Sequence, residues 1–338
     1  MHPFGEVHAD QTLQYELEVA RQVTAPVDQQ LQQFARQSAA AYVVLTGGLD
    51  RPLADHQATG LRKLLLWLLD NLVIRATRRL YRYISGGIDL GYRQATELPH
   101  RAGIPLPPRR DGLGRELIHA INQMDERANG LIRNTAAQLI RAPLRHWDDT
   151  SRVVANTRRA QNTVEQTTRW AANRAISNTI RDVAMDLGAH VVWVAERNAC
   201  LHCLAYAGEV VSGDGWFPGG LTFYRDPSGL LKPVSTEPVW SPPLHPNCRC
   251  GLELWAGYDV ERWGPEAVSL VGIPQVLKRE AQRSVLRGLG GFNSEPARLR
   301  AADGLLVQAG LLLGSSVLRR AREDIDAGEF LSTSRVRR

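Results

Sequence analysis

The chain has 338 residues, of which 43% are hydrophobic and 22% charged, and a formal net charge of +6. That length suggests two or three domains with a sizeable core, and the composition excludes disorder over the whole chain. The longest apolar runs, Leu64 to Leu69 and Leu305 to Leu313, fall well short of the ~20 residues that cross a bilayer. The first ten residues lack the apolar segment of a secretory signal. The protein is therefore expected to be made in a cytoplasm and to stay soluble, off the membrane, until it joins an assembly. All but three of the 41 basic residues are arginines, a choice that suits salt-bridged interfaces and phosphate contacts. The charge is mild for this length, so it permits nucleic-acid contact without requiring it.

In chain order, residues 1–26 read as a flexible N-terminal arm. A helical domain follows over 27–167. Leu31, Phe34 and Ala35 share a face in its first helix, and Gly47-Gly48 ends that helix. A longer helical stretch, from about Asp55 to Tyr92, carries Leu61, Leu65, Leu68, Leu69 and Leu72 on one side. Arg75, Arg78, Arg79 and Arg82 recur further along it, either as a solvated surface or as a subunit or DNA contact. Gly86-Gly87 is expected to end or bend the helix. Four prolines between Pro99 and Arg110 indicate an extended connector. The spacing then predicts a helix over about 112–142, stopped by Pro143, and another from Thr150 to Leu187 with Gly188 as its cap.

Beyond Gly188 the pattern changes. His190 to Glu196 is a strand signal, rich in valine with a tryptophan. From Arg197 to Trp255, glycine, proline, cysteine, histidine and aromatic residues dominate, so short strands and turns are expected. The run Gly213 to Gly220 lacks the Lys-Ser/Thr ending of a phosphate loop and reads as a surface loop. Trp216, Phe217, Phe223 and Tyr224 are expected to pack the small lobe. A helical C-terminal extension over 259–331 and a basic tail over 332–338 complete the layout. The fold class is thus α+β and mainly α-helical: an elongated helical bundle, a small β-rich lobe bearing the cysteines, and the C-terminal extension.

All four cysteines lie in that lobe, as Cys200-Leu201-His202-Cys203 and as Cys248-Arg249-Cys250 within His245-Pro246-Asn247-Cys248-Arg249-Cys250. A CxxC turn points two thiolates at one ion. In an extended segment residues i and i+2 share a side, so Cys248 and Cys250 project together while Arg249 points away. Four thiolates around a structural zinc is one reading, with His245 as a substitute ligand and His202 as an exposed turn residue. Two disulfides and free buried thiols are the others. One turn apart on the entering helix, Arg169 and Asn173 read as a hydrogen-bonding pair that pins the helix to the lobe, and Arg249 as a brace.

The ordered set of Arg169-x-x-x-Asn173-x-Ala175 on a helix, the strand ending Trp193-Val194-Ala195, the CxxC, Gly208-Glu209-Val210-Val211 and the closing Asn247-Cys248-Arg249-Cys250 resembles the phage Mu F-like head-morphogenesis family. The likeness covers about residues 168–258, and the final tetrapeptide is its most diagnostic piece. One departure is Arg169-Trp170-Ala171, where the family often carries Arg-Thr-Glu. The resemblance implies a structural minor head protein of a tailed bacteriophage or prophage. Such a protein would sit in the virion, in the head interior or at the portal vertex, bind portal and capsid subunits, and assist DNA packaging or ejection.

Two rival classes have less in the sequence. An enzyme of the zinc deaminase type needs His-x-Glu, which is absent, and four thiolates would leave a zinc no open position for catalysis. No catalytic residues are expected. A metal-dependent hydrolase would have to recruit His245 and Glu209, which form no tight motif. A nucleic-acid-binding protein with a structural zinc lobe would use the arginines of 75–82 and of the C-terminal region, as non-specific contacts that weaken with salt.

Overall fold

The computed structural model describes residues 3–195, 203, 206–219, 223–225, 231–233, 237–245, 248–257, 261–264 and 274–275. The described chain is mainly helical, 68% of it, with a small three-stranded antiparallel sheet. The elements are α1 (Pro3–Thr46), α2 (Asp55–Asp70), α3 (Thr77–Arg101), α4 (Arg115–Arg141) and α5 (Trp147–Asp186). The strands are β1 (His190–Val194), β2 (Val210–Ser212), β3 (Phe223–Arg225), β4 (Leu231–Pro233) and β5 (Gly251–Trp255). No helix among the described residues is long and apolar enough to cross a membrane. The helices expected over 259–331 and the tail over 332–338 lie almost entirely outside the described residues, which there include only 261–264 and 274–275.

The chain divides into two compact units that are interleaved in sequence, where consecutive blocks were expected. One, the helical unit, is Gln14–Gly86 with Leu113–Ala172; the other, the sheet unit, is Met1–Leu13, Gly87–Gly112 and Asn173–Arg338. The physical reason is helix length: α1, α3 and α5 each contribute residues to both units, and at 1.5 Å per residue a 40-residue helix runs ~60 Å.

In the helical unit, α2 packs antiparallel on α4, with Leu61, Leu65, Leu68 and Leu69 buried from one and Leu117, Ile121, Met124, Ala128, Ile132 and Leu139 from the other. The link between α2 and α3 is held by α4 side chains. Asn129 accepts from the Ile74 N–H at 2.8 Å and donates to its carbonyl at 3.0 Å. Asp125 takes the N–H groups of Ala76 and Thr77 at 2.8 and 3.1 Å, satisfying two donors that a helix start leaves open. This break at 71–76, not Gly86-Gly87, divides the stretch that the leucine periodicity ran together.

Three expectations are corrected here. Residues 1–26 are not a loose arm, since α1 begins at Pro3 and runs through Pro26. Its buried side chains, His8, Thr12, Glu16, Val19, Val23, Val27, Leu31 and Phe34, recur at three and four, but the first three are polar and hide the stripe from a hydrophobicity count. Gly86-Gly87 does not end a helix: α3 passes through it. A Cβ on Gly86 would sit 2.9 Å from the Tyr15 hydroxyl oxygen, so the glycine makes room for α1. Finally, Pro99 lies inside the last turn of α3, and the connector starts only after Arg101.

In the sheet unit, β1 lies between β2 and β5, antiparallel to both, and β3 pairs with β4 as a separate hairpin. Gly91 of α3 meets α5 backbone to backbone: a Cβ there would lie 2.6 Å from the Ile176 carbonyl oxygen. The α5 helix ends as expected at Gly188, whose φ of +56° a residue with a Cβ adopts only under strain. Gly213 is not on a free surface loop. A Cβ on it would lie 2.5 Å from the Met185 nitrogen, so the turn after β2 lies directly on α5.

Candidate metal centre

The cysteine cluster is built by two short pieces of chain beside the sheet. Cys203 lies between β1 and β2, at a helical position ahead of the turn at Gly208, where φ is +75°. Cys248 and Cys250 stand just before β5, which pairs residue for residue with β1 from Gly251↔Val194 to Trp255↔His190. The extended run does what its spacing predicts: Cys248 and Cys250 are buried and Arg249 between them is exposed. The Cys248 N–H donates to the His245 carbonyl at 2.9 Å, which fixes the turn that presents Cys248.

The ligand atoms of Cys203, Cys248 and Cys250 all lie within 4.8 Å of one another, and all three residues are buried. The Cys203 and Cys248 sulfurs are 3.3 Å apart, and Nε2 of His245 is 3.4 Å from the Cys203 sulfur. Thiolates on a tetrahedral zinc, at Zn–S near 2.3 Å, stand ~3.8 Å apart. The three sulfurs therefore fit one ion with small adjustment. Hydrogen bonds from Cys203 and then Cys250 hold the Cys248 thiol well below the ordinary thiol range, against the upward push of burial. A thiolate is the form a metal binds. Of the four cysteines named from sequence, the structure brings these three together and could seat a metal ion on them. Cys200 and His202 lie outside the described residues.

The lobe has an aromatic core next to the cluster. Trp193 of β1 stacks at 4.8 Å on Tyr206 and meets Phe217 edge-on at 5.1 Å, and the three are buried. Trp216 is more than half exposed but lies 5.0 Å from Trp240. The side chains of Phe223 and Tyr224 are outside the described set.

Two buried arginines of α5 secure the lobe's loops, and the sequence did not single them out. Arg174 donates to the Ser241 carbonyl and, at 3.0 Å, to the Ser241 hydroxyl. Arg181 donates to the carbonyls of Gly213 and Gly215 at 3.0 and 2.5 Å, with its guanidinium 3.9 Å from the centre of the Trp240 ring. Burial, and then the charge of Arg174, lower the Arg181 pKa to about 10. By contrast, Arg169 makes its ion pairs with Glu16 of α1 and Glu165, both at 3.8 Å, so the expected pairing with the lobe is corrected. Glu16 sits on the polar part of the α1 stripe that sequence periodicity missed.

A charged cluster nobody would read from motif spacing also converges on β5. His8 of α1 lies with Nδ1 2.9 Å from Glu253 of β5 and Nε2 3.0 Å from Glu97 of α3. Burial works against charge on His8, but the hydrogen bond and charge of Glu253, then those of Glu97, outweigh it and raise its pKa from 6.5 to about 9. Burial likewise raises Glu253, opposed by His8. A signal existed in the four-residue spacing of His8, Thr12 and Glu16, but it carries no information about the partners 89 and 245 residues away.

Comparison with protein-family models, with curated proteins and with solved structures finds no match to this chain.

Proposed function

We propose that this chain is a structural minor head protein of a tailed bacteriophage or prophage, of the Mu F-like kind, with its cysteine lobe stapled by zinc. The observation that carries this reading is the order of parts around the cysteines. A long helix, α5, leads into strand β1; a cysteine-bearing segment follows; and Cys248-Arg249-Cys250 leads into the strand that pairs with β1. The resemblance rests on that series of motifs, and the buried sulfurs give it a chemical purpose. In a small sheet with few core residues, metal ligation supplies stability that hydrocarbon burial does not. Cys203, Cys248 and Cys250 would be three ligands, with Cys200 as the fourth or His245 in its place. Closed thiolate coordination leaves no position for a substrate, so the site is structural and the protein's work is binding: to portal and inner capsid subunits, within the virion, with DNA contact secondary.

The test is co-expression with the portal and major capsid proteins of the phage or prophage that would carry it, followed by size-exclusion chromatography and imaging of assembled particles. A complex of defined stoichiometry with portal, and the chain's presence in heads at few copies, is the expected result. Heads that assemble normally without it, together with no portal or capsid binding, would overturn the proposal.

A further inference from the structure

We propose that the groove between α2 and α4 is a docking site for an acidic, amphipathic helix of a partner protein. The groove holds about 610 Å³ and is lined by Leu66, Trp67, Leu72, Val73, Ala136 and Arg133, among others. Trp67 is 61% exposed and Val73 44% exposed. Ile140, one turn beyond Ala136 on α4, is also 61% exposed. A large half-open tryptophan flanked by aliphatic side chains is the composition of an interface anchor, not of a solvated helix face. The lining runs from Leu66 to Val73 along one side and from Asn129 to Ala136 along the other. Each side spans eight residues, or ~12 Å where helical, room for about two turns of a visiting helix with anchors at i, i+3, i+4 and i+7.

Charge selects the occupant. Arg133 lines the groove, and Arg75, Arg78, Arg79 and Arg82 continue from its Val73 end onto α3, all five exposed. Among the described residues none of the five has an ion-pair partner. Asp70 is the one carboxylate lining the groove, and nearby Asp125 is occupied by the N–H groups of Ala76 and Thr77. A channel that mixes aliphatic side chains and Trp67 with Asn129, Asp70 and Arg133, and that has a cationic end, fits a helix with a leucine-type stripe flanked by Glu or Asp. A duplex would use the arginines but leave Trp67 and Val73 without a role. The reading of the chain as an assembly protein is needed only to explain why such a partner would exist.

Two labelled 16-residue peptides with one shared leucine stripe, one with a glutamate polar face and one with lysine, would be titrated against the full chain by anisotropy. A 20-base-pair duplex would be run alongside. The glutamate peptide is expected to bind at least tenfold more tightly than the lysine peptide. Trp67→Ala and Arg133→Glu, both at exposed positions, should each weaken it by tenfold or more while leaving the circular dichroism spectrum and metal content unchanged. Equal binding of the two peptides, indifference to Trp67→Ala, self-association of the chain abolished by Trp67→Ala, or binding of the duplex alone would each overturn the proposal. No portal is present in this assay, so its failure leaves the portal experiment to judge the assembly role separately.

Discussion

The helical unit and the sheet unit keep their structure by different means. Where α2 meets α4 the interior is leucine, isoleucine and methionine at helical spacing, and most polar side chains there close helix ends and links. Around the sheet, the buried set includes three cysteines, Arg174, Arg181, Asn173, Ser241 and His8, and β5 is held by a histidine between two carboxylates. Hydrocarbon burial is tolerant, because each side chain contributes separately and neighbours relax. Paired charges and clustered thiols are not, because removing one member leaves the rest buried without compensation. The first kind of core suits a rigid helical support, and the second a small lobe whose cysteines could seat a metal ion and whose charge varies with pH.

The sharpest break of this contrast is Cys248→Ser. The sheet unit should lose its cooperative melting, read by near-ultraviolet dichroism of Trp193, because folding and metal binding are one equilibrium in such a lobe. The α2–α4 pair should keep its hydrogen-exchange protection. Equal loss of protection in both regions would mean that they do not differ in the way described. The converse substitution, Leu65→Ala, removes a fully buried side chain of α2 and is expected to cost about 3 kcal/mol in denaturant unfolding. Metal content should be unaffected.

The histidine cluster makes the sheet unit sensitive to pH. His8 is raised to about 9, and Glu253 is shifted upward as well, so the native state holds protons the unfolded chain has released. The stability due to His8 is full below pH ~6.5 and is lost as pH rises through about 9, by about 3 kcal/mol. Denaturant midpoints measured from pH 6 to 10 should fall more steeply across that window in the native chain than in His8→Ala, which starts lower. A fall of the same size in the variant would remove His8 as its source.

The helices were largely legible in the sequence wherever apolar residues marked the buried face, as in α2, α4 and α5. They were illegible where polar residues took that face. His8, Thr12 and Glu16 made the first third of α1 look like an arm, yet their partners, Glu253, Gln94 and Arg169 among them, come from distant chain. The glycines of α3 misled for a related reason, because a glycine that admits another helix and one that breaks a helix look alike in sequence. The CxC spacing, by contrast, is a local property of extended backbone, and it read Cys248, Arg249 and Cys250 correctly as in, out, in.

Those glycines give the smallest expected effects and a graded test. Gly91→Ala forces a Cβ against the Ile176 backbone, which cannot turn aside, and should cost about 2 kcal/mol. Gly86→Ala meets the end of the Tyr15 side chain, which can rotate at the loss of its bond to the Tyr83 carbonyl, and should cost about half that. The reverse order in thermal unfolding would show that α3 is not tightly seated on α5 at Gly91.

The central claim, that the buried cysteines form a metal staple, is tested most directly by elemental analysis of the chain purified under reducing conditions without chelator, together with thiol titration in the native state. The account predicts about one zinc per chain and thiols that react only after the metal is removed. Absence of metal, with Cys203, Cys248 and Cys250 reacting freely or joined in disulfides, would contradict it.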